Sequence, residues 1–385
     1  MERGQTGVYE ITRVQDENVR AFVPVPLPPD PPLQLDGLLQ QALELAILAI
    51  GRLDSVTSLL PDPDTFIYSY VRKEAVLSGQ IEGTRSTLSD LLLFELGQTP
   101  DVPRDDVAEV SNYVAAMQHG LARLRGGFPL SNRLIREMHQ ILLSSGRGSR
   151  QLPGEFRASQ NWIGGTRPGT ARFVPPPSHA VPDCMGALEQ FLHATDDGLP
   201  ILVRAGLAHA QFETIHPFLD GNGRVGRLLI SLLLADRGVL TQPLLYISLF
   251  LREHRDEYFD LLSQLRHTGD WEAWIAFFLE GVRLTAEDAV STAHQLSRLF
   301  EKDRRLIEER AGRRANSALR VFDALRERLV VDIRTTSTLT SLSIPTVAAS
   351  MGLLSDMEIA QETTGRTSNR RYVYRDYAAL LRGDE

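Results

Sequence analysis

Twelve consecutive residues bring together most of the side chains here that could do chemistry: His216-Pro217-Phe218-Leu219-Asp220-Gly221-Asn222-Gly223-Arg224-Val225-Gly226-Arg227. An imidazole with an ordinary pKa near 6.5 can accept a proton at neutral pH. A positioned base of this kind contributes about 10²–10⁴-fold. Gly221 and Gly223 allow close backbone approach to a ligand. The apolar run that follows predicts a helix over 223–237. The start of such a helix has unpaired N–H groups and the positive end of the dipole, a seat for an anion. Arg224 and Arg227, three apart, share one side of the first turn, and the guanidinium fork suits phosphate oxygens. Asp220 stands before the loop, where one carboxylate can hold Mg²⁺ jointly with phosphate. Each feature alone is ordinary: a His beside Pro usually packs, Gly-Asn-Gly usually turns, and arginines at a helix start usually face water. Their coincidence points to a polyphosphate and a metal beside an acceptor hydroxyl. Phe218 is expected to anchor the loop in the core.

The elements around that stretch are read from apolar spacing and breakers. Helices are expected near 35–53, 64–82, 104–124, 131–144, 181–194, 200–214, 250–266 and 270–295, with Gly83 ending the second and Ser131 capping the fourth. The helix from 223 is apolar on most faces and should be central. Glycines and prolines over 153–177 punctuate two short apolar pieces, which reads as a hairpin or flap. Residues 1–33 are polar and then proline-dense, and are read as an extended arm lying on the surface. A charged helix over 296–328 leads to helix, helix and hairpin over 330–385, with a turn at Gly365–Asn369.

Bulk properties narrow the class. The 385 residues suggest two or three domains, and a net charge of -8 argues against a general nucleic-acid or anionic-lipid binder. The single cysteine, Cys184, excludes an intrachain disulfide and a multi-cysteine zinc site, and fits a reducing compartment. Met1–Gly4 shows no basic-then-apolar signal pattern, and no apolar run approaches the roughly 18 residues of a membrane helix. A cytoplasmic protein without membrane contact is the expectation. His119, His139, His179, His193, His209, His254 and His267 lack metal-ligand spacing and are read as surface or core residues. The absence of Gly-x-x-x-x-Gly-Lys-Ser/Thr argues against an ordinary NTPase.

The twelve-residue stretch resembles the signature of the Fic family in the Fic/DOC superfamily. The likeness extends to Pro153-Gly154-Glu155-Phe156-Arg157, Gln160-Asn161-Trp162-Ile163-Gly164-Gly165, Phe173-Val174-Pro175-Pro176-Pro177 and Gln211-Phe212-Glu213-Thr214-Ile215, and to Trp271-Glu272-Ala273-Trp274 with Phe277-Phe278. Tyr258-Phe259 departs from the Tyr-Tyr of many relatives. The resemblance implies a mainly α fold: a Fic-type helical bundle with a β-hairpin flap, and here a C-terminal winged helix-turn-helix. The implied organisation is an arm at 1–33, an N-terminal helical region at 34–103, a catalytic core at 104–300, a connecting helix at 301–329 and a winged helix at 330–385.

It also implies a reaction, transfer of AMP from ATP to a Tyr, Thr or Ser hydroxyl of a target protein. His216 would be the base and Asp220 the Mg²⁺ ligand. Gly221, Asn222, Gly223, Arg224 and Arg227 would hold the phosphates, and Trp162, Ile163 and Gly164 would dock the target. Ser78-Gly79-Gln80-Ile81-Glu82-Gly83 resembles the family's inhibitory motif. On their own, Ser78 and Glu82 merely share a helix face; the resemblance implies that Ser78, Glu82 and Gly83 form a brake, with Glu82 on Arg227. An AMP-removing hydrolase, or one body doing both, is the alternative reaction. A nucleotide-sensing DNA regulator is the alternative class, with Thr346, Ser350, Arg366, Arg370 and Arg371 as candidate DNA contacts. Self-modification and homodimerisation are left open.

Overall fold

The computed structural model describes residues 2–14, 17–59, 63–95, 102–195, 197–365 and 370–382. The N-terminal segment is not an unpaired arm. Strands β1 (Gly7–Val14) and β2 (Glu17–Pro24) pair antiparallel, from Gly7↔Pro24 to Val14↔Glu17. The prolines begin only at Pro24, so the ladder over the preceding residues keeps its N–H donors. The hairpin is tied to the body by Gly4 N–H to the Thr268 carbonyl (2.9 Å) and by Arg3 on Glu272.

Helices follow: α1 (Gly37–Leu59), α2 (Pro63–Ile81), α3 (Leu88–Glu95), α4 (Arg104–Arg125), α5 (Asn132–Leu142), α6 (Val181–His193), α7 (Ile201–Ile215), α8 (Asn222–Asp236), α9 (Ser248–Glu253), α10 (Arg255–Thr268) and α11 (Trp271–Arg310). As expected, Ser131 caps α5, its hydroxyl accepting from Leu134 N–H. Helix α8 is buried on nearly all sides, with Val225, Leu228, Leu229, Leu232 and Leu233 at 0–1% exposure. Each such leucine contributes about 1.5–3 kcal/mol of burial, which roots the first turn of α8 in the core.

Three helical expectations change. Residues 250–266 form two helices that meet at His254. The expected ends at 295 and 300 fall inside α11, a single helix that stops just before Gly312, where φ is +52°. Between Gly281 and Gly312 the chain has no Gly or Pro to interrupt it. The proposed flap has one bridge, Ile163↔Phe173, rather than two paired strands.

Beyond α11 lie α12 (Ala315–Arg328), β3 (Val330–Asp332), α13 (Ile333–Thr340), α14 (Ile344–Asp356), β4 (Ala360–Glu362), β5 (Arg371–Tyr374) and α15 (Arg375–Arg382). The sheet order is β3-β5-β4. Three helices on a three-stranded antiparallel sheet are consistent with a winged helix, and α12 packs within it. Ser350 is 1% exposed, so it faces the core and not a groove-reading surface. Helix α14 has no Lys or Arg, and its exposed residues are apolar or small (Ile344, Pro345, Ala348, Ala349, Gly352) except for the acidic Asp356 at its end. That face does not favour phosphate contact. Arg366 and most of the Gly365–Asn369 turn lie outside the described residues. Among the described residues, no single helix is long and apolar enough to cross a membrane.

Candidate active site

The stretch from 216 to 227 links two packed helices. His216 caps the C-terminus of α7 in the left-handed conformation (φ 49°, ψ 61°), which is uncommon for a residue with a side chain. Arg157 holds it there: its Nε donates to the His216 carbonyl (2.9 Å) and its own N–H to the Pro217 carbonyl (2.9 Å). Burial, followed by the nearby Arg157 charge, pushes the His216 pKa down to about 4, with Glu82 opposing. The imidazole is therefore neutral at pH 7 and can accept a proton. Its Nδ1 lies 3.9 Å from the Glu213 carboxylate.

The loop closes on itself. Asn222 accepts from Phe218 N–H (2.8 Å) and donates to the Phe218 carbonyl (2.8 Å). Both ends of the amide are thus engaged within the loop and shape the cradle. Phe218 is fully buried, as expected, and stacks on His139 with ring centroids 3.7 Å apart. His139 Nδ1 accepts from Gly154 N–H (2.8 Å), so Nε2 carries the proton and donates to the Asp220 carbonyl (3.0 Å). Burial keeps this ring neutral, with a pKa pushed down to about 4. Asp220 Oδ1 accepts from Gly221 N–H (2.6 Å), and φ of Gly221 is +78°.

The two arginines diverge. Arg224 Nη1 donates to Glu109 on α4 (2.9 Å), with both side chains at 1–2% exposure, and its Nη2 lies 3.4 Å from Asp220. Burial raises the Glu109 pKa despite the attraction of Arg224 and Arg147. Arg227 turns towards the end of α2: Nε donates to Ser78 Oγ (2.8 Å), and Nη2 to the Ser78 carbonyl (3.0 Å) and to Glu82 Oε1 (2.8 Å). Burial opposes the Glu82 charge, but Arg227 outweighs it and the pKa falls below the usual carboxylate range. A side chain on Gly223 would collide with the Glu82 carboxylate, so that carboxylate rests against the first turn of α8. Gly83, at φ +95°, reverses the chain directly afterwards.

Asp220 is one-third exposed at the rim. Among the described residues, no group of three or more His, Cys, Asp or Glu could enclose a metal. A lone carboxylate beside an anion seat suits Mg²⁺, which keeps waters and takes the rest of its oxygens from phosphate. In the flap, Ile163 and Phe173 exchange backbone hydrogen bonds (2.8 and 3.2 Å), and Gly164 has φ +70°. Trp162 packs against the small cluster of Val19, Ala21 and Val174, and Phe22 N–H donates to the Val174 carbonyl (2.9 Å). Strand β2 therefore already borders the flap on the Val174 side, while the Ile163 backbone pairs with Phe173 on the other strand.

Sequence reasoning brought His216, Asp220, Arg224, Arg227, Ser78 and Glu82 to this site. It missed Glu109, His139 and Arg157 as supports. Glu109 left one signal, a charge on the helix stripe shared with Tyr113, Ala116 and Gly120. Arg157 left one too, as the last residue of the Pro153–Arg157 string that carries the family likeness; His139 left none.

Residues 40–122 match the family described as Fic/DOC family N-terminal, and residues 129–234 match the Fic/DOC family. A probable protein adenylyltransferase of Aquifex aeolicus is 27% identical over 179 residues, 46% of this chain and 52% of that protein. The protein adenylyltransferase Fic of Culex quinquefasciatus is 33% identical over 145 residues, 37% of this chain and 26% of that protein. The matched stretch thus spans about half, or about a quarter, of these curated relatives. A solved Fic family protein from Desulfovibrio desulfuricans shares the fold at TM-score 0.59 and 20% identity, covering 89% of this chain and 97% of that one. A Fic domain containing signaling protein from Bacteroides thetaiotaomicron gives TM-score 0.52 and 20% identity, covering 65% and 97%.

Proposed function

The chain belongs to the Fic/DOC family, and from that premise we propose that it transfers AMP from ATP to a Tyr, Thr or Ser hydroxyl of a protein and is restrained by Glu82. The names of its curated relatives support the reaction class. One observation carries the reading: the Glu82 carboxylate rests on Gly223 and Arg227, so an anion already fills a seat at the start of α8, within electrostatic range of His216.

His216 Nε2 takes the proton of the acceptor hydroxyl. The oxygen attacks the α-phosphorus of ATP, a new O–P bond forms, and the bond to the bridging oxygen breaks. Pyrophosphate leaves with the bonding pair. The glycine-flanked first turn of α8 receives the phosphates, and Arg224 and Arg227 offset charge on the leaving group. Asp220 would hold Mg²⁺ shared with those phosphates; bound there, the ion neutralises phosphate charge. Trp162, Ile163 and Gly164 offer a backbone edge to an extended target segment.

While Glu82 holds Arg227, the outermost phosphate meets a carboxylate where it needs a cation. A displacement of about 1 Å at the reacting centre can cost on the order of 10²-fold. The same carboxylate, near His216, favours a second reading in which it activates water to remove AMP from a modified target.

Labelled ATP, Mg²⁺ and cell lysate, incubated with Glu82→Gly and with Glu82→Gly/His216→Ala, test the forward reaction by mass spectrometry. AMP-modified peptides, including any from the enzyme itself, are expected only with the first. Their absence there overturns the proposal. Release of AMP from a pre-modified target by wild type, lost in Glu82→Gly, would establish the reverse reaction.

A further inference from the structure

The helix that ends just before Glu82, α2, has a second face, turned away from Arg227. There, a cavity of about 330 Å³ opens between α2, α3, α9, α11 and α15. That volume lies at the lower end of small-molecule sites, roughly 300–1,000 Å³. Leu77, Leu88, Leu249 and Leu381 supply apolar wall. Lys73 also lines it, with a side chain 11% exposed. Its ammonium makes no hydrogen bond among the described residues. The nearest carboxylate oxygen, on Asp288, is 3.9 Å away and is already engaged by the Tyr246 hydroxyl. The other neighbour is the Tyr246 ring, 4.4 Å from Nζ. An enclosed cation whose ion pair with Asp288 is long and makes no hydrogen bond is incompletely compensated, and a charge-assisted hydrogen bond from a ligand would relieve it.

The remaining charges line the rim and do not satisfy Lys73. Arg252 donates to the Gln80 side chain (2.7 Å), and Glu253 is exposed. Burial lowers the Lys73 pKa, with Arg252 acting in the same direction and Asp288 and Glu253 against it. The larger cavity, about 450 Å³ between α2, α4 and residues 241–243, has no equivalent group, because its buried Arg72 is held by Glu95 and the Tyr68 carbonyl.

We propose that this cavity binds a small amphiphilic carboxylate, its head on Lys73 and its apolar body among the leucines. The site stands on geometry alone; its consequence rests on the proposed function. Gln80, which lines the cavity, is two residues from the inhibitory carboxylate and is held by Arg252 and by the Ser86 carbonyl. A ligand bracing α2 against α9 and α15 strengthens the hold of Glu82 on Arg227.

Calorimetry of the full chain with octanoate, acetate and octylamine tests the site without nucleotide. Octanoate is expected to bind and the other two not. Lys73→Met should weaken octanoate about tenfold or more, the worth of one charge-assisted hydrogen bond. Leu380→Trp, which fills the cavity and leaves Lys73 in place, should abolish uptake. Absence of octanoate binding to wild type, or unchanged binding in either variant, overturns the site. Saturating octanoate should lower AMP transfer by wild type about threefold, under 1 kcal/mol of added hold, and leave Glu82→Gly unaffected. Uptake without that difference overturns the coupling while the site stands.

Discussion

Arg224 and Arg227 lie one turn apart on the same buried helix, yet their carboxylate partners differ in kind. Glu109 is 1% exposed, sits inside the stripe of α4 and is surrounded by packed side chains. Glu82 is 34% exposed and sits on the last residues before a glycine reversal. The first pair is a strut, because removing one partner leaves a charge buried without compensation. On the proposed function the second is a latch: Arg227 is as buried as Arg224, but its partner stands at the rim, where a phosphate can take its place. In that proposal one arginine is held permanently and the other conditionally.

The comparison presumes that both arginines serve a base at 216, and the largest effect tests that. In the Glu82→Gly background, His216→Ala should lower AMP transfer by about 10²–10⁴-fold in a labelled-ATP assay. Residual activity near the parent level would detach the arginines from this chemistry. Next comes the latch itself: Glu82→Gly should raise transfer by about 10²-fold over wild type, and equal rates would reduce the pair to packing. The strut should answer in stability. Glu109→Ala is expected to cost about 3–5 kcal/mol in chemical denaturation, as breaking a buried pair does. Glu82→Gly, at a partly exposed site, should cost about 1 kcal/mol or less. If the two lose equally, strut and latch are the same thing.

Ser78→Ala removes the acceptor of Arg227 Nε and loosens the latch by about 1 kcal/mol, so transfer should rise roughly fivefold. The smallest effect is with pH. The His216 pKa is pushed down to about 4, so the base stays neutral above that value. The Glu82 pKa is depressed, so the latch is intact above the ordinary carboxylate range and is lost only as pH falls through the lowered value. The ratio of Glu82→Gly to wild-type rates should therefore vary less than about twofold from pH 8 to pH 5. An acid limb near 6.5 in a pH–rate profile would show His216 to be less buried than it is here.

Apart from the Glu82–Arg227 contact, which the family resemblance implied, how far the site could be read in advance depended on chain distance. The signature and the order of helices around it were legible, because helical spacing and glycine placement are local properties. The N-terminal hairpin was not legible because charged residues interrupt the apolar alternation of both strands and a proline run follows directly. The long α11 was divided because charge after residue 295 resembled a new element, although no breaker stood there. The two hydrogen bonds that the Asn222 amide makes four residues back, to Phe218, were not legible.

By itself the amino-acid order determined that a base, a carboxylate, a glycine turn and two guanidinium groups would meet within one loop and one helical turn, since connectivity leaves them nowhere else to go. Only tertiary structure decided which acid each arginine meets. Glu109 stands 115 residues from Arg224, and Glu82 stands 145 from Arg227. Chain separation on that scale carries no information about approach. A buried ion pair forms only where packing from remote helices excludes water and brings the two groups to hydrogen-bonding distance, and that is a property of the assembled core.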